Sequence, residues 1–337
     1  MENKSFKFVE ITNEMVNTYI EEALNEVRKN GLRLSEIYCQ TPKICLEAVR
    51  QNPDALVFVQ EQTHDICMEA IKKSWFAIRH VRKQTPELCL AAIKQFPGAL
   101  EYITNQTPEI CLEAVKDYGF ALEFVKKQTP EICLAAVRDN ALALQLVKEQ
   151  TPEICLEAVR HIGLALEYVK EQTPQICLEA VQEEPFAIQY VKEPTNDLYL
   201  EAVRGNGFTI RYVNEQTDEL CLEAVRDIGK ALEYVKNQTV EICCEAVKND
   251  YRTLELVEEH LLDDVCKQLD FLYLPKGEKH RPLIIKNING VYRCWIGCRE
   301  GIDIETLEIL IYEADGGLEK NPHRQAYLDF LKENGLL

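Results

Sequence analysis

Several things are scarce in this chain, and each scarcity closes a door. Glycine (14) and proline (13) are few among 337 residues, which excludes collagen-like and low-complexity classes. Positive charge is short: 38 Lys and Arg stand against 56 Asp and Glu, a formal net charge of −18. A direct grip on nucleic-acid phosphates needs a basic surface, so neither DNA nor RNA is expected as a partner. No run approaches the roughly 18 apolar residues of a membrane span, and the opening MENKSFKFVE has no apolar h-region. No membrane partner and a cytoplasmic location are therefore expected. There is no phosphate-binding glycine-rich loop and no nucleophile elbow.

What is abundant is repetition. Ten threonines stand 22 residues apart without a slip: Thr41, Thr63, Thr85, Thr107, Thr129, Thr151, Thr173, Thr195, Thr217 and Thr239. A fixed period in this range marks stacked repeats. In the unit TPEICLEAVRHIGLALEYVKEQ, Thr151 is a good helix N-cap and Pro152 suits the first helical position. Ile154, Cys155, Leu156, Ala158 and Val159 spread over about 200° of a helix at 100° per residue. That arc suits a helix touching both its own partner and the next repeat. The turn site holds Gly or Pro in seven of ten units: Pro53, Pro97, Gly119, Gly163, Pro185, Gly207 and Gly229. A second, shorter helix follows, with Ala165, Leu166 and Val169 inward and Tyr168 at the edge. Such short helices are unstable alone and must stack.

The fold class expected is mainly α. An α-solenoid of ten 22-residue helical hairpins spans 41–260, after an N-terminal cap with a degenerate repeat in 1–40. A capping helix over 261–269 and a small α+β module over 270–337 follow. In that module Leu283–Ile288 and Val291–Ile296 flank Asn289-Gly290, a hairpin signal. Helices are expected over 304–314, capped by Asp303, and over 322–332, capped by Asn321.

Fourteen cysteines might suggest disulfides, but nine occupy one repeat column (Cys45, Cys67, Cys89, Cys111, Cys133, Cys155, Cys177, Cys221 and Cys243). Stacked helices lie about 8–10 Å apart, whereas bridged Cα atoms need about 4.4–6.8 Å. These thiols read as small buried hydrophobes. The unit at Thr195 is irregular: Pro194 replaces the usual Gln and Tyr199 the Cys.

An acidic column (Glu47 to Glu245) and a basic one (Arg50 to Lys248) recur in nearly every unit and read as a solvated ion-pair ladder rather than as acid–base chemistry. An aromatic column has two readings. Phe58, Tyr102, Phe124, Tyr168, Tyr190, Tyr212 and Tyr234 either seal the joints between second helices or form a protein-binding surface. In the tail, Cys294, Cys298, His280 and His323 are metal-ligating types, but Cys-x3-Cys in a strand sets its thiols about 13 Å apart. Cys298 with His323 lacks an orienting acid. Asn321-Pro322-His323-Arg324, at a helix start, is read as plain capping or as an anion contact. No metal, no cofactor and no enzymatic activity are expected.

The unit QTPEICLEAVRxxGLALEYVKxQ resembles an uncharacterised helical-repeat family found mostly in giant DNA viruses, amoebal hosts and some bacteria. The resemblance covers about 19–260. The tail from Gly297 is similar to a C-terminal segment on proteins of the same viral group. This implies a shape and a source and carries no catalytic residue over. The expected role is a non-enzymatic protein-binding scaffold, with a host protein as target in a viral setting. The alternatives are a ligand-binding or enzymatic tail module carried by a targeting array, and a self-assembling structural component.

Overall fold

Each repeat opens with its threonine in an extended conformation and its hydroxyl turned onto the helix that follows. Thr151 Oγ1 accepts from Ile154 N at 3.3 Å, and the same bond recurs at Thr85, Thr107 and Thr217. A ten-residue α-helix results, such as Pro152–His161. A second element follows at once: a six-residue 3-10 helix, Gly163–Tyr168 in this unit. The 22-residue pairing of α-helix and 3-10 helix repeats through the array, and a small C-terminal module completes the chain. The computed structural model describes residues 12–276, 282–289, 291–296, 299–307 and 323–337, with backbone alone at 299, 300, 323 and 324.

The chain divides into two compact units, Met1–Glu183 and Glu184–Leu337. The division falls inside the array expected over 41–260. In the first unit, helix Asn13–Lys29 and 3-10 helix Gly31–Glu36 form the degenerate opening repeat, and seven α-helices follow, from Pro42–Gln51 to Pro174–Glu183. The second unit runs from 3-10 helix Pro185–Tyr190 to Tyr251–Leu256, then helix Glu259–Leu269, which ends on Asp270 in the left-handed region (φ 58°).

Burial follows the repeat. Ile154, Cys155, Ala158 and Val159 of the α-helix, and Ala165, Leu166 and Val169 of its partner, are all 3% exposed or less. Two buried threonines replace the alanine: Thr209 and Thr253 each donate a hydroxyl to the carbonyl three residues back, at 2.8 Å. The approach between elements is close enough that a Cβ on Gly119 would strike the Ala136 carbonyl. Gly119 N instead donates to Asp139 Oδ2 at 2.6 Å, which ties its turn to the next repeat.

The second element differs in kind from an α-helix. Its backbone bonds close over three residues, as in Ala165 N to Ile162 O at 2.9 Å and Val169 N to Leu166 O at 3.1 Å. With three residues per turn, positions three apart eclipse. The first and fourth positions (Gly163, Leu166) and the third and sixth (Ala165, Tyr168) face the stack. The second and fifth (Leu164, Glu167) face outward, the latter fully exposed.

The glutamine before each threonine is a structural stitch that sequence reasoning passed over. Gln106 Nε2 donates to Leu100 O of its own repeat (3.1 Å) and to Phe124 O of the next (2.9 Å). Its Oε1 accepts from Lys126 N at 2.9 Å. The cysteine five residues on closes the circuit: the thiols of Cys133, Cys155 and Cys221 lie 3.7, 3.7 and 3.8 Å from Oε1 of Gln128, Gln150 and Gln216. This accounts for a thiol in that column, since it is small, tolerates burial and donates weakly. Pro194 has no amide, and the thiol column changes with it to Tyr199, which is buried at 8% exposure. The partner and the donor are lost together.

The ion-pair ladder runs between repeats more than within them. Arg160 reaches Glu179 with two bonds of 2.9 Å, and Arg138 reaches Glu157 at 2.9 Å. Pairs three apart also occur, as in Lys248–Glu245 at 2.6 Å.

In the C-terminal module the expected hairpin grows into a four-stranded antiparallel meander: β1 (Phe271–Leu274), β2 (Leu283–Ile288), β3 (Val291–Ile296) and β4 (Arg299–Ile302). Asn289, in the left-handed region at φ 55°, turns β2 into β3 with Ile288 opposite Val291. Helix His323–Glu333 packs Tyr327, Leu328 and Leu331 against Leu283, Ile285 and Cys294. Residues 304–307 are helical, and Asp303 Oδ1 accepts from Thr306 N at 2.7 Å, the cap expected there. The remainder of that expected helix, to 314, lies outside the described residues, as do Gly290, Asn321 and Pro322.

Candidate functional site

The aromatic column stands at the last position of each 3-10 helix. Phe58 is 39% exposed, and Tyr102, Phe124, Tyr168, Tyr190, Tyr212 and Tyr234 are half-buried. Their backbone serves the stack, because the carbonyls of Phe58, Tyr102, Phe124, Tyr168 and Tyr234 accept from the glutamine ladder. Three rings pack edge-on against an aromatic of the preceding repeat. Tyr102 meets Phe76 at 5.2 Å and 88°, Tyr212 meets Phe186 at 6.3 Å and 89°, and Tyr234 meets Phe208 at 6.1 Å and 85°. These rings form joints on one edge and surface on the other.

The row beside them was not singled out from the sequence. It is the second position of the 3-10 helix: Phe76, Phe120, Leu142 and Leu164 in the first unit, Phe186 and Phe208 in the second, all half-buried. Gly98 stands in this row, yet the row does not lapse there. A Cβ on Gly98 would fall onto the ring of Phe96, so that ring lies where neighbouring repeats place a Phe or Leu. The fifth position, on the same face, carries charge: Arg79, Glu101, Glu123 and Glu167 in the first unit and Arg211 and Glu233 in the second, all exposed. Arg79 sits 3.8 Å over the Phe76 ring. Arg211 lies 5.2 Å from Phe186 and 4.9 Å from Tyr212. The 120° step of a 3-10 helix produces this pairing of ring and charge; the 100° step of an α-helix hides it in the sequence.

Burial pushes the column thiols above their ordinary range, Cys221 to about 11 and Cys243 to about 12. His80 is held below the usual histidine value by burial and by Arg79 beside it. Cys294 is fully buried in β3, and burial with Asp303 nearby pushes its thiol up to about 11. Cys298 and His280, and the side chains of His323 and Arg324, lie outside the described residues. Among the described residues no cluster of three or more His, Cys, Asp or Glu could hold a metal ion. No helix among them is long and apolar enough to cross a membrane.

One cavity, within the second unit, stands apart from the repeats. About 350 Å³ in volume, it is lined by Tyr251, Arg252 and Glu255 of the last 3-10 helix and by Lys276, Pro282, Ile284 and Trp295 of the sheet module. The Tyr251 and Trp295 rings lie 5.2 Å apart, tilted by 40°.

A protein-family profile described as a domain of unknown function (DUF4116) matches residues 85–129 and 107–150, two overlapping stretches of the array. No curated protein and no solved structure matches the chain.

Proposed function

We propose that this chain is a non-enzymatic scaffold that binds a protein partner along the outward faces of its 3-10 helices. The observation that carries the reading is the row at the second helical position. A ring or leucine occupies it at 76, 120, 142, 164, 186 and 208, and Phe96 restores it where Gly98 leaves a gap; Asp54, Lys230 and Arg252 flank this run. Phe76, Phe186 and Phe208 brace the next repeat's tyrosine along one edge, and their rings remain only half-buried. The half-buried column of Phe58, Tyr102, Phe124, Tyr168, Tyr190, Tyr212 and Tyr234 borders the row and widens the contact. Aromatic and arginine side chains, set on a rigid frame, are the residue types that dominate binding energy at protein interfaces.

The giant-virus setting that the repeat pattern suggests makes a host protein the expected target and the host cytoplasm the expected place. A basic partner is favoured by the net charge of −18 and by Glu101, Glu123 and Glu167 on the face. The test inverts those exposed charges together (Glu101→Lys, Glu123→Lys, Glu167→Lys) in the full chain and compares in-cell crosslinking with the wild type. A crosslinked partner that maps to the 3-10 face and disappears in the variant, at unchanged Tm, supports the reading. Equal crosslinking by both, or crosslinks confined to the α-helices, ends it. The cavity between Tyr251 and Trp295 favours a second reading, a small-ligand site in the C-terminal module with the array as targeting arm.

A further inference from the structure

One stretch of the first unit carries exposed rings at the caps of its 3-10 helices. Between residues 74 and 120 the cap of the 3-10 helix changes character. On either side an asparagine holds it: Asn52 Oδ1 accepts from Asp54 N at 3.0 Å, and Asn140 Oδ1 from Leu142 N at 2.9 Å, while Ile162 one repeat further on makes no such bond. Three successive units give that bond up, with Ser74, Phe96 and Tyr118 at the cap and no side-chain bond from any of them. Two of the three replacements are rings that stay in water, Phe96 at 43% exposure and Tyr118 at 42%. A cap is lost, and the exposed area of each ring gains nothing from folding.

These rings join others. Trp75 lies 4.7 Å from Phe96, 5.1 Å from Phe76 and 6.3 Å from Tyr102, while Tyr118 lies 6.2 Å from Phe120. The 3-10 helices that carry them pack on one another in succession. We infer that Trp75, Phe76, Phe96, Tyr102, Tyr118 and Phe120 form a docking site for a proline-rich, basic segment of a partner protein in the polyproline II conformation. This rests on the scaffold reading above and names its partner class.

Geometry and charge select that occupant. Stacked helices repeat at about 8–10 Å. A polyproline II helix advances about 3.1 Å per residue with three residues per turn, so every third residue returns to one face after about 9 Å. A peptide lying along the stack therefore offers one proline per repeat, in step with the rings. An α-helix returns to its face every 5.4 Å and falls out of step. Proline rings dock on aromatic walls without asking for backbone donors, which a surface of rings cannot supply. Beyond the Phe76 repeat, where Arg79 holds the equivalent position over the ring, Glu101 and Glu123 project from the same faces as Gly98 and Phe120, 22 residues apart. They fit a basic residue once per turn of the ligand.

The chain's two tryptophans make the test direct. In full-length protein carrying Trp295→Phe, Trp75 is the sole indole and reports on the patch. Titration with a peptide of four Pro-Pro-Arg triplets is expected to change its fluorescence, saturating in the micromolar range and weakening with salt. Four Pro-Pro-Glu triplets should bind at least ten-fold more weakly. Phe96→Asn with Tyr118→Asn replaces the rings by the cap residue of neighbouring units, so Tm should hold while peptide affinity falls at least ten-fold. Glu101→Lys with Glu123→Lys, both exposed, should weaken binding with the rings intact. No binding to 1 mM, equal binding of the acidic peptide, or undiminished binding to the ring variant overturns the inference. A wild-type dimer in sedimentation that the ring variant abolishes would overturn it too, by assigning the patch to a second copy. Peptide failure with charge-dependent crosslinking retained removes this inference alone; loss of that crosslinking dependence removes the scaffold reading.

Discussion

Gln106→Leu is the substitution that bears most heavily on how this array holds together. It keeps the size of the side chain and deletes its amide. Two carbonyls, Leu100 and Phe124, lose a donor at 3.1 and 2.9 Å, and Lys126 N loses an acceptor at 2.9 Å. At about 1 kcal/mol net for each bond, the loss is about 3 kcal/mol. It rises toward about 5 kcal/mol if both carbonyls stay dry, because unsatisfied buried groups cost more than the bond they lack. Global melting reads this poorly, since long repeat arrays depart from two-state behaviour. Native-state hydrogen exchange reads it locally. The Lys126 amide should exchange about 100-fold faster in the variant, the factor that roughly 3 kcal/mol implies, while amides several repeats away stay put. If Lys126 exchanges within about three-fold of its wild-type rate, the glutamine is a bystander and the stitch does not exist.

Four further outcomes rest on the same geometry. Asparagine or aspartate caps aside, Gly119→Ala should destabilise its repeat by roughly 1–3 kcal/mol in urea unfolding, because the new Cβ meets the Ala136 carbonyl, and overpacking costs about that much; a neutral effect would show that the two elements can part freely. The Pro194→Gln and Tyr199→Cys changes should be mutually dependent, each costly alone and better together, with a double-mutant coupling of at least about 1 kcal/mol; simple additivity would uncouple the two columns. In thiol labelling of the native chain near neutral pH, Cys39, the exposed cysteine among those described, should react far faster than the column thiols. The folded column holds its protons to higher pH than an unfolded thiol, whose ordinary value is 9.0, so its contribution to stability is complete below pH 9 and drains away as pH climbs toward the folded values of about 11 and 12 at Cys221 and Cys243. Circular dichroism through that window should show alkaline unfolding; a flat profile to pH 12 would contradict it.

Much of this architecture was legible in the chain because its signals are local. Thr151-Pro152 announces a helix start whatever surrounds it, and Asn289-Gly290 announces a turn between Leu283–Ile288 and Val291–Ile296, where the structure places strands with the same bounds. The 3-10 character was hidden for a physical reason. Six residues such as Gly163–Tyr168 cover two turns of a 3-10 helix and under two of an α-helix, too few for a period of 3.0 to separate from one of 3.6. The outward pairing of second and fifth positions was hidden with it. Gln106 escaped because a polar residue before a cap looks like an ordinary loop; that the same amide recurs in nine of ten units was the available signal. Strands β1 and β4 are four residues each and show no alternation strong enough to read, so the sheet looked like a lone hairpin.

The 3-10 helix also sets how this protein can change. In most repeats the alanine, the aliphatic beside it and the stitching glutamine are committed to neighbours, while the second and fifth side chains touch the stack along one edge at most. A lineage can rewrite those two letters, Phe and Arg in one cell, Leu and Glu in another, without renegotiating the frame that displays them. On the scaffold reading, recognition and folding would draw on different positions of the same six residues.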